Sequence, residues 1–84
     1  MSKYLVCGAG GFIGGYITKK LIEEGHSVTC VDIKPLDLWF QLHDSALNFS
    51  LDLKILENCE KIVEGQDFVI NMACNMGGIG FIEW

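Results

Sequence analysis

The stretch Gly8-Ala9-Gly10-Gly11-Phe12-Ile13-Gly14 sets glycines at the spacing G-x-x-G-x-x-G, directly after the apolar run Tyr4-Leu5-Val6-Cys7. Three of these glycines have separate physical jobs. Gly8 permits a tight turn out of a strand, Gly11 presents backbone without a side chain, and Gly14 lets a following helix lie close to a sheet. Bare amides at a helix start, with the partial positive charge found there, are suited to gripping two linked phosphates. An acid follows at the right interval: Asp32 stands about 20 residues beyond the glycines, at the end of the next β-rich run. A carboxylate there accepts hydrogen bonds from ribose hydroxyls and repels a 2′-phosphate. The pattern therefore points to a dinucleotide and favours NAD over NADP. Lys34, close by, works against that preference. A P-loop is excluded, because no Gly-Lys-Ser/Thr follows the glycines.

These groups need elements to hold them. Tyr4 to Cys7 reads as a buried strand. From Phe12 the period lengthens: Ile13, Ile17 and Leu21, flanked by Phe12, Tyr16 and Ile22, predict the buried stripe of a helix that stops at Gly25. Val28 to Val31 is β-branched and reads as a second strand closing at Asp32. Pro35 breaks the chain. Residues 36–45 stay ambiguous, with Leu36, Trp39, Phe40 and His43 able to form one face of a short helix, or Trp39 and Phe40 packing under the loop after strand two. Leu47, Phe49 and Leu51 alternate with polar residues and predict a third strand. Asp52 is placed to cap a helix over 53–63, whose apolar face would carry Leu53, Leu56, Cys59, Ile62 and Val63. A carboxylate at Asp52 could equally accept from an adenine amino group. Asp67 opens a fourth strand over 68–73, and a second glycine loop, Gly77-Gly78-Ile79-Gly80, follows.

Alternating strands and helices imply an α/β fold: a Rossmann-type parallel sheet with right-handed crossovers and strand order 3-2-1-4. Residues 1–84 are read as a partial NAD(P)-binding domain, the N-terminal half of such a sheet. Both glycine loops then fall at the carboxyl ends of adjacent strands one and four, where ligands bind in such sheets.

Bulk properties narrow the class. Half of the 84 residues are apolar and 20% are charged, which fits a globular chain. A net charge of −5, from 11 acids and 6 bases, leaves no cationic footprint for nucleic acid. No run is long enough for a membrane span or a signal core, so the expected location is the cytoplasm. Cys7, Cys30, Cys59 and Cys74 show no C-x-x-C spacing, so no metal site is expected and they read as buried thiols. His26 and His43 read as surface residues.

With those residues in view, GAGGFIG after a short strand and Asp32 after the second resemble the extended short-chain dehydrogenase/reductase (NAD-dependent epimerase/dehydratase) superfamily. The segment from Asn71 to Glu83, with Met76-Gly77-Gly78-Ile79-Gly80-Phe81-Ile82 at its centre, is similar to GDP-mannose 3,5-epimerases. The resemblance covers essentially the whole chain but only about the N-terminal quarter of such an enzyme. It implies that Gly8, Gly11, Phe12, Ile13 and Gly14 bind the pyrophosphate of NAD, and that Asp32 and Lys34 meet the adenosine ribose. It further implies that Asp52 and Leu53 meet the adenine, that Met72, Ala73 and Cys74 line the nicotinamide side, and that Met76, Gly77, Gly78 and Ile79 approach a GDP-sugar. Members of the family move a hydride to and from NAD during epimerisation. Cys7 and Cys74 depart from the family's usual Thr and Ala.

The family's catalytic Tyr-x-x-x-Lys pair lies far downstream of the segment this chain matches. Tyr16 and Lys20 have the spacing, but they sit in the first helix beside the phosphate turn, so no catalytic residue is assigned. The reading is the NAD-binding portion of a sugar-nucleotide epimerase, inactive alone. The alternative is a standalone NAD-binding or interaction module, and a complete small reductase fits least because no catalytic pair is present. A fourth strand left as an exposed edge predicts self-association.

Overall fold

The structure, a computed structural model, describes residues 1–72. Strand β1 (Lys3–Cys7) leads through the glycine turn into helix α1 (Phe12–Glu23), and then come strand β2 (Ser27–Asp32) and a single 3-10 turn at Leu36–Leu38. Strand β3 (Leu47–Ser50), helix α2 (Leu56–Val63) and strand β4 (Phe68–Asn71) follow. The four strands are parallel in the order β3-β2-β1-β4, as the alternation of elements predicts.

Strand β1 is central because it is apolar on both faces. Successive side chains of a strand point to opposite sides. Val6 joins Leu21, Val28, Cys30 and Trp39 in the cluster under α1, while Leu5 and Cys7 join Val31 and Ile62 in the cluster under α2. The two helices thus cover opposite faces, and β1 carries both cores.

Helix α1 ends in a Schellman arrangement. Gly25, at φ +89°, donates to Ile22 O (3.0 Å), and His26 N–H donates to Leu21 O (3.1 Å). The buried face of this helix differs from the aliphatic stripe expected. Gly14, Gly15, Thr18 and Leu21 are buried, Ile17 and Ile22 are partly so, and Phe12, Ile13 and Tyr16 are at least half exposed. Small residues face the sheet because the helix lies too close to it for large ones. Thr18 satisfies its hydroxyl inside that contact, donating to Gly14 O at 2.9 Å and lying 3.4 Å from Cys30 Sγ.

Other expectations are refined or corrected. Helix α2 begins at Leu56 with Ile55 as its cap residue, so Asp52 does not cap it. The Asp52 carboxylate instead accepts from Lys54 N–H (2.9 Å), closing a turn ahead of the helix. Of the face expected on α2, Ile62 is buried and Cys59 half-buried, whereas Leu56 is exposed. Residues 36–45 form only the 3-10 turn; Trp39 is buried, but Phe40 is exposed and meets the ring of Phe12 edge-on. Leu47 and Phe49 are exposed, because β3 has a single hydrogen-bonded neighbour among the described strands. The histidines are not free surface groups. His26 Nδ1 accepts from Ser2 N–H (3.1 Å), and His43 Nε2 lies 3.2 Å from Gly15 O.

Candidate functional site

The turn after β1 is fixed by backbone hydrogen bonds. Gly8 N–H and Ala9 N–H both donate to Val31 O, at 2.8 and 3.2 Å, and Gly11 N–H donates back to Gly8 O at 3.2 Å. Gly8 sits at φ +83°, a left-handed conformation that a side chain disfavours. A Cβ at Gly14 would overlap Gly8 O and come within 2.9 Å of Ala9 Cα, so close packing of helix on turn demands glycine there. Gly11 is different. Its φ is −88°, and a Cβ would meet nothing nearer than Gly8 O at 3.6 Å, an ordinary contact. The fold alone therefore does not require glycine at position 11.

Gly11 is the cap residue of α1, no side chain caps the helix, and its first turn holds no acid. The bond from Gly15 N–H to Gly11 O (3.0 Å) is the first of the helical ladder, so the amides of Phe12, Ile13 and Gly14 precede it. The partial positive charge of a helix start therefore lies at the carboxyl end of β1.

Asp32 lies across from this turn. Its Oδ2 accepts from Gly10 N–H (2.9 Å) and its Oδ1 from Lys34 N–H (3.1 Å). Each oxygen keeps acceptor capacity for a further donor. Lys34 meets Asp32 through its backbone, and the ion pairs among the described residues, Lys20–Glu24 and His26–Glu24, do not involve either of them. Lys34 stands in the same cleft as Asp32 without an ion pair between them.

One cleft of about 610 Å³ opens at the carboxyl ends of the strands. It brings together Gly8, Gly11, Asp32, Lys34, Asp52, Leu53 and Met72, residues far apart in the chain that the family resemblance assigns to one cofactor. Phe12 and Ile13 stand beside it in the first turn of α1 with exposed side chains, and Gly14 is buried beneath the turn. Ala73, Cys74, Met76, Gly77, Gly78 and Ile79 lie outside the described residues. Lys54 and Asn71 also line the cleft and were missed. Asn71 could have been found from its register: it pairs with Cys7 at the end of the central strand. Gly10 and Trp39 were missed as well. A Cβ on Gly10 would lie 2.8 Å from Trp39 Cδ1 and 2.9 Å from Asp32 Oδ2. Spacing gives Gly10 no role of its own, and the packing of Trp39 and Asp32 against it does.

Two of the described thiols, Cys7 and Cys30, are buried and held protonated by that burial. Burial, with Cys59 as the smaller cause, pushes the Cys7 thiol from its ordinary 9.0 up to about 11. Burial also raises Cys30, opposed by its hydrogen bond with Thr18. Half-buried Cys59 donates to Leu53 O at 2.9 Å. Among the described residues no three His, Cys, Asp or Glu side chains gather as a metal site would need, and no helix is long and apolar enough to cross a membrane.

This geometry has counterparts in known proteins. Residues 4–81 match the NAD dependent epimerase/dehydratase family. The chain belongs to that family. Among its relatives, GDP-mannose 3,5-epimerase of Arabidopsis thaliana is 41% identical over 81 residues, covering 96% of this chain and 22% of the relative. The chain thus spans about a fifth of the length of that relative. The family fold extends to solved structures. UDP-glucose 4-epimerase of Thermotoga maritima, solved with UDP-glucose, superposes with a TM-score of 0.73 at 30% identity, over 84% of this chain and 24% of that one. MoeE5, solved with UDP-glucose and NAD, superposes with a TM-score of 0.68 at 30% identity, over 83% and 21%.

Proposed function

We propose that this chain is the NAD-holding portion of a sugar-nucleotide epimerase acting on a GDP-sugar. The observation that carries the reading is Gly11. It lines the cleft at an uncapped helix start, and the fold has room for a side chain that the sequence does not supply. A glycine that packing does not need is explained by a ligand that must approach the backbone there.

In this reading Gly8, Gly11 and the amides of Phe12, Ile13 and Gly14 hold the pyrophosphate. Asp32 accepts from the ribose hydroxyls with the lone pairs left free by Gly10 and Lys34, and its charge disfavours a 2′-phosphate. Asp52 and Leu53 flank the adenine, and Lys34 stands at the ribose. Met72, Ala73 and Cys74 are assigned to the nicotinamide and Met76, Gly77, Gly78 and Ile79 to the sugar nucleotide; these roles rest on the likeness to GDP-mannose 3,5-epimerase. NAD held here would supply hydride-acceptor chemistry for oxidation and re-reduction of a sugar carbon. The residues of this chain orient it and hold its charge.

Among the described residues the titratable side chains lining the cleft are Asp32, Lys34, Asp52 and Lys54, and this reading gives none of them a proton-transfer role. A proton-transfer group must come from elsewhere in an active enzyme. The same lining favours a second reading, a non-catalytic NAD-binding or interaction module. Self-association through β4 belongs to the proposal too. That strand pairs with β1 alone among the described residues, and Phe68 on it is exposed.

Calorimetric titration with NAD and NADP tests the assignment. The chain should bind NAD more tightly, and Asp32→Ala should weaken NAD and erase the preference. Equal binding of the two cofactors before and after the change removes Asp32 from the site.

A further inference from the structure

The segment from Ile33 to Phe40 leaves β2, makes one 3-10 turn and comes back over the glycine turn. Its attachment is unusually complete. Trp39 is buried at 8% exposure, and its indole Nε1–H donates to Lys34 O at 2.9 Å, tying the two ends of the strap to each other. The same ring rests on Gly10, where even a methyl group would collide with it. Gly10 is then held from both sides. Its N–H donates to Asp32 Oδ2 (2.9 Å), and its carbonyl accepts from Phe40 N–H (2.9 Å). Lys34 N–H takes the other oxygen of Asp32 (3.1 Å). Gly10, Asp32, Lys34 and Trp39 therefore form one closed circuit of contacts. The circuit links the carboxylate to the turn through Gly10 and to the strap through Lys34.

We propose that Trp39 is a positioning residue for the ribose-binding end of the cleft. Its indole clamps the strap onto Gly10 and so fixes the Asp32 carboxylate against the glycine turn. The proposal rests on the reading that the cleft holds NAD. A carboxylate held by two backbone amides has one orientation to offer a ribose; a carboxylate released from them has several, and both affinity and selectivity fall.

The test uses the full chain and Trp39→Phe, which keeps an aromatic ring in the pocket and removes the Nε1–H donor. Two quantities are read: affinity for NAD and for NADP by titration, and amide hydrogen exchange at Gly10 and Lys34 without ligand. The expected result is NAD affinity lower by about tenfold, a NAD-to-NADP preference reduced toward one, and faster exchange at both amides. Packing support alone would lower the unfolding midpoint and leave the preference unchanged. Gly10→Ala approaches the clamp from the other side and should give the same signature. Combined with Trp39→Ala it should cost less than the two single changes added, because the second relieves the collision made by the first. Unchanged affinity, preference and exchange in Trp39→Phe, or strict additivity in the pair, overturns the role of Trp39. A wild-type chain that binds neither cofactor overturns the NAD reading itself, and the positioning role with it.

Discussion

Glycines 11 and 14 share one motif and differ in why they are glycines. Gly14 is fixed by the fold: its Cβ would overlap Gly8 O. Gly14→Ala should cost about 1–3 kcal/mol of stability in urea unfolding. Gly11→Ala should change stability by less than about 0.5 kcal/mol, since the new methyl meets only an ordinary contact. Both glycines were legible from spacing alone. Their different causes were not, because spacing says nothing about the distance to a neighbouring carbonyl. A second residue-scale outcome concerns Cys7. Its folded-state thiol is held neutral up to about 11, whereas an exposed thiol ionises near 9.0. The unfolded chain therefore loses its proton first, and stability should fall as pH rises from about 9 to about 11. The fall should be smaller in Cys7→Ala, measured as unfolding midpoint against pH.

Among the elements, β1 carries the most. It feeds both hydrophobic clusters, and Leu5 and Val6 are wholly buried. Leu5→Ala should cost about 2–5 kcal/mol and reach the packing of α2 through Ile62. The strand order and the helix positions follow from the alternation of apolar runs, glycines and polar breaks, and these were readable. The buried side of α1 was not. Periodicity selects the large residues Ile13 and Phe12, but the close approach that Gly14 imposes brings Gly15 and Thr18 to the sheet and leaves those two outside. Asp52 misled for a related reason. A carboxylate before a helix reads as a cap, yet the chain makes one turn closed by Lys54 N–H before the helix starts at Leu56.

At the scale of the molecule, the sheet order places β1 and β4 side by side, and the cleft opens where their carboxyl ends meet the ends of β2 and β3. Residues from four separate segments converge there because parallel strands all point their ends the same way. The strand order behind this was legible from sequence, while the second glycine loop expected there lies outside the described residues; the strap that carries Trp39 across Gly10 was not legible, since no local pattern predicts a fold-back over a turn. Self-association through β4 should appear as a concentration-dependent increase in sedimentation coefficient, and a monomer at all concentrations argues against it. The central claim is that backbone amides at the start of α1 grip the pyrophosphate of NAD beside a side-chain-free position 11. Titrating NAD into the wild-type chain, Gly11→Ala and Gly11→Leu tests it most directly. The account predicts affinity falling stepwise with side-chain size, by at least about tenfold for leucine, while the alanine variant keeps the wild-type unfolding midpoint. Equal affinity across the three folded chains contradicts it.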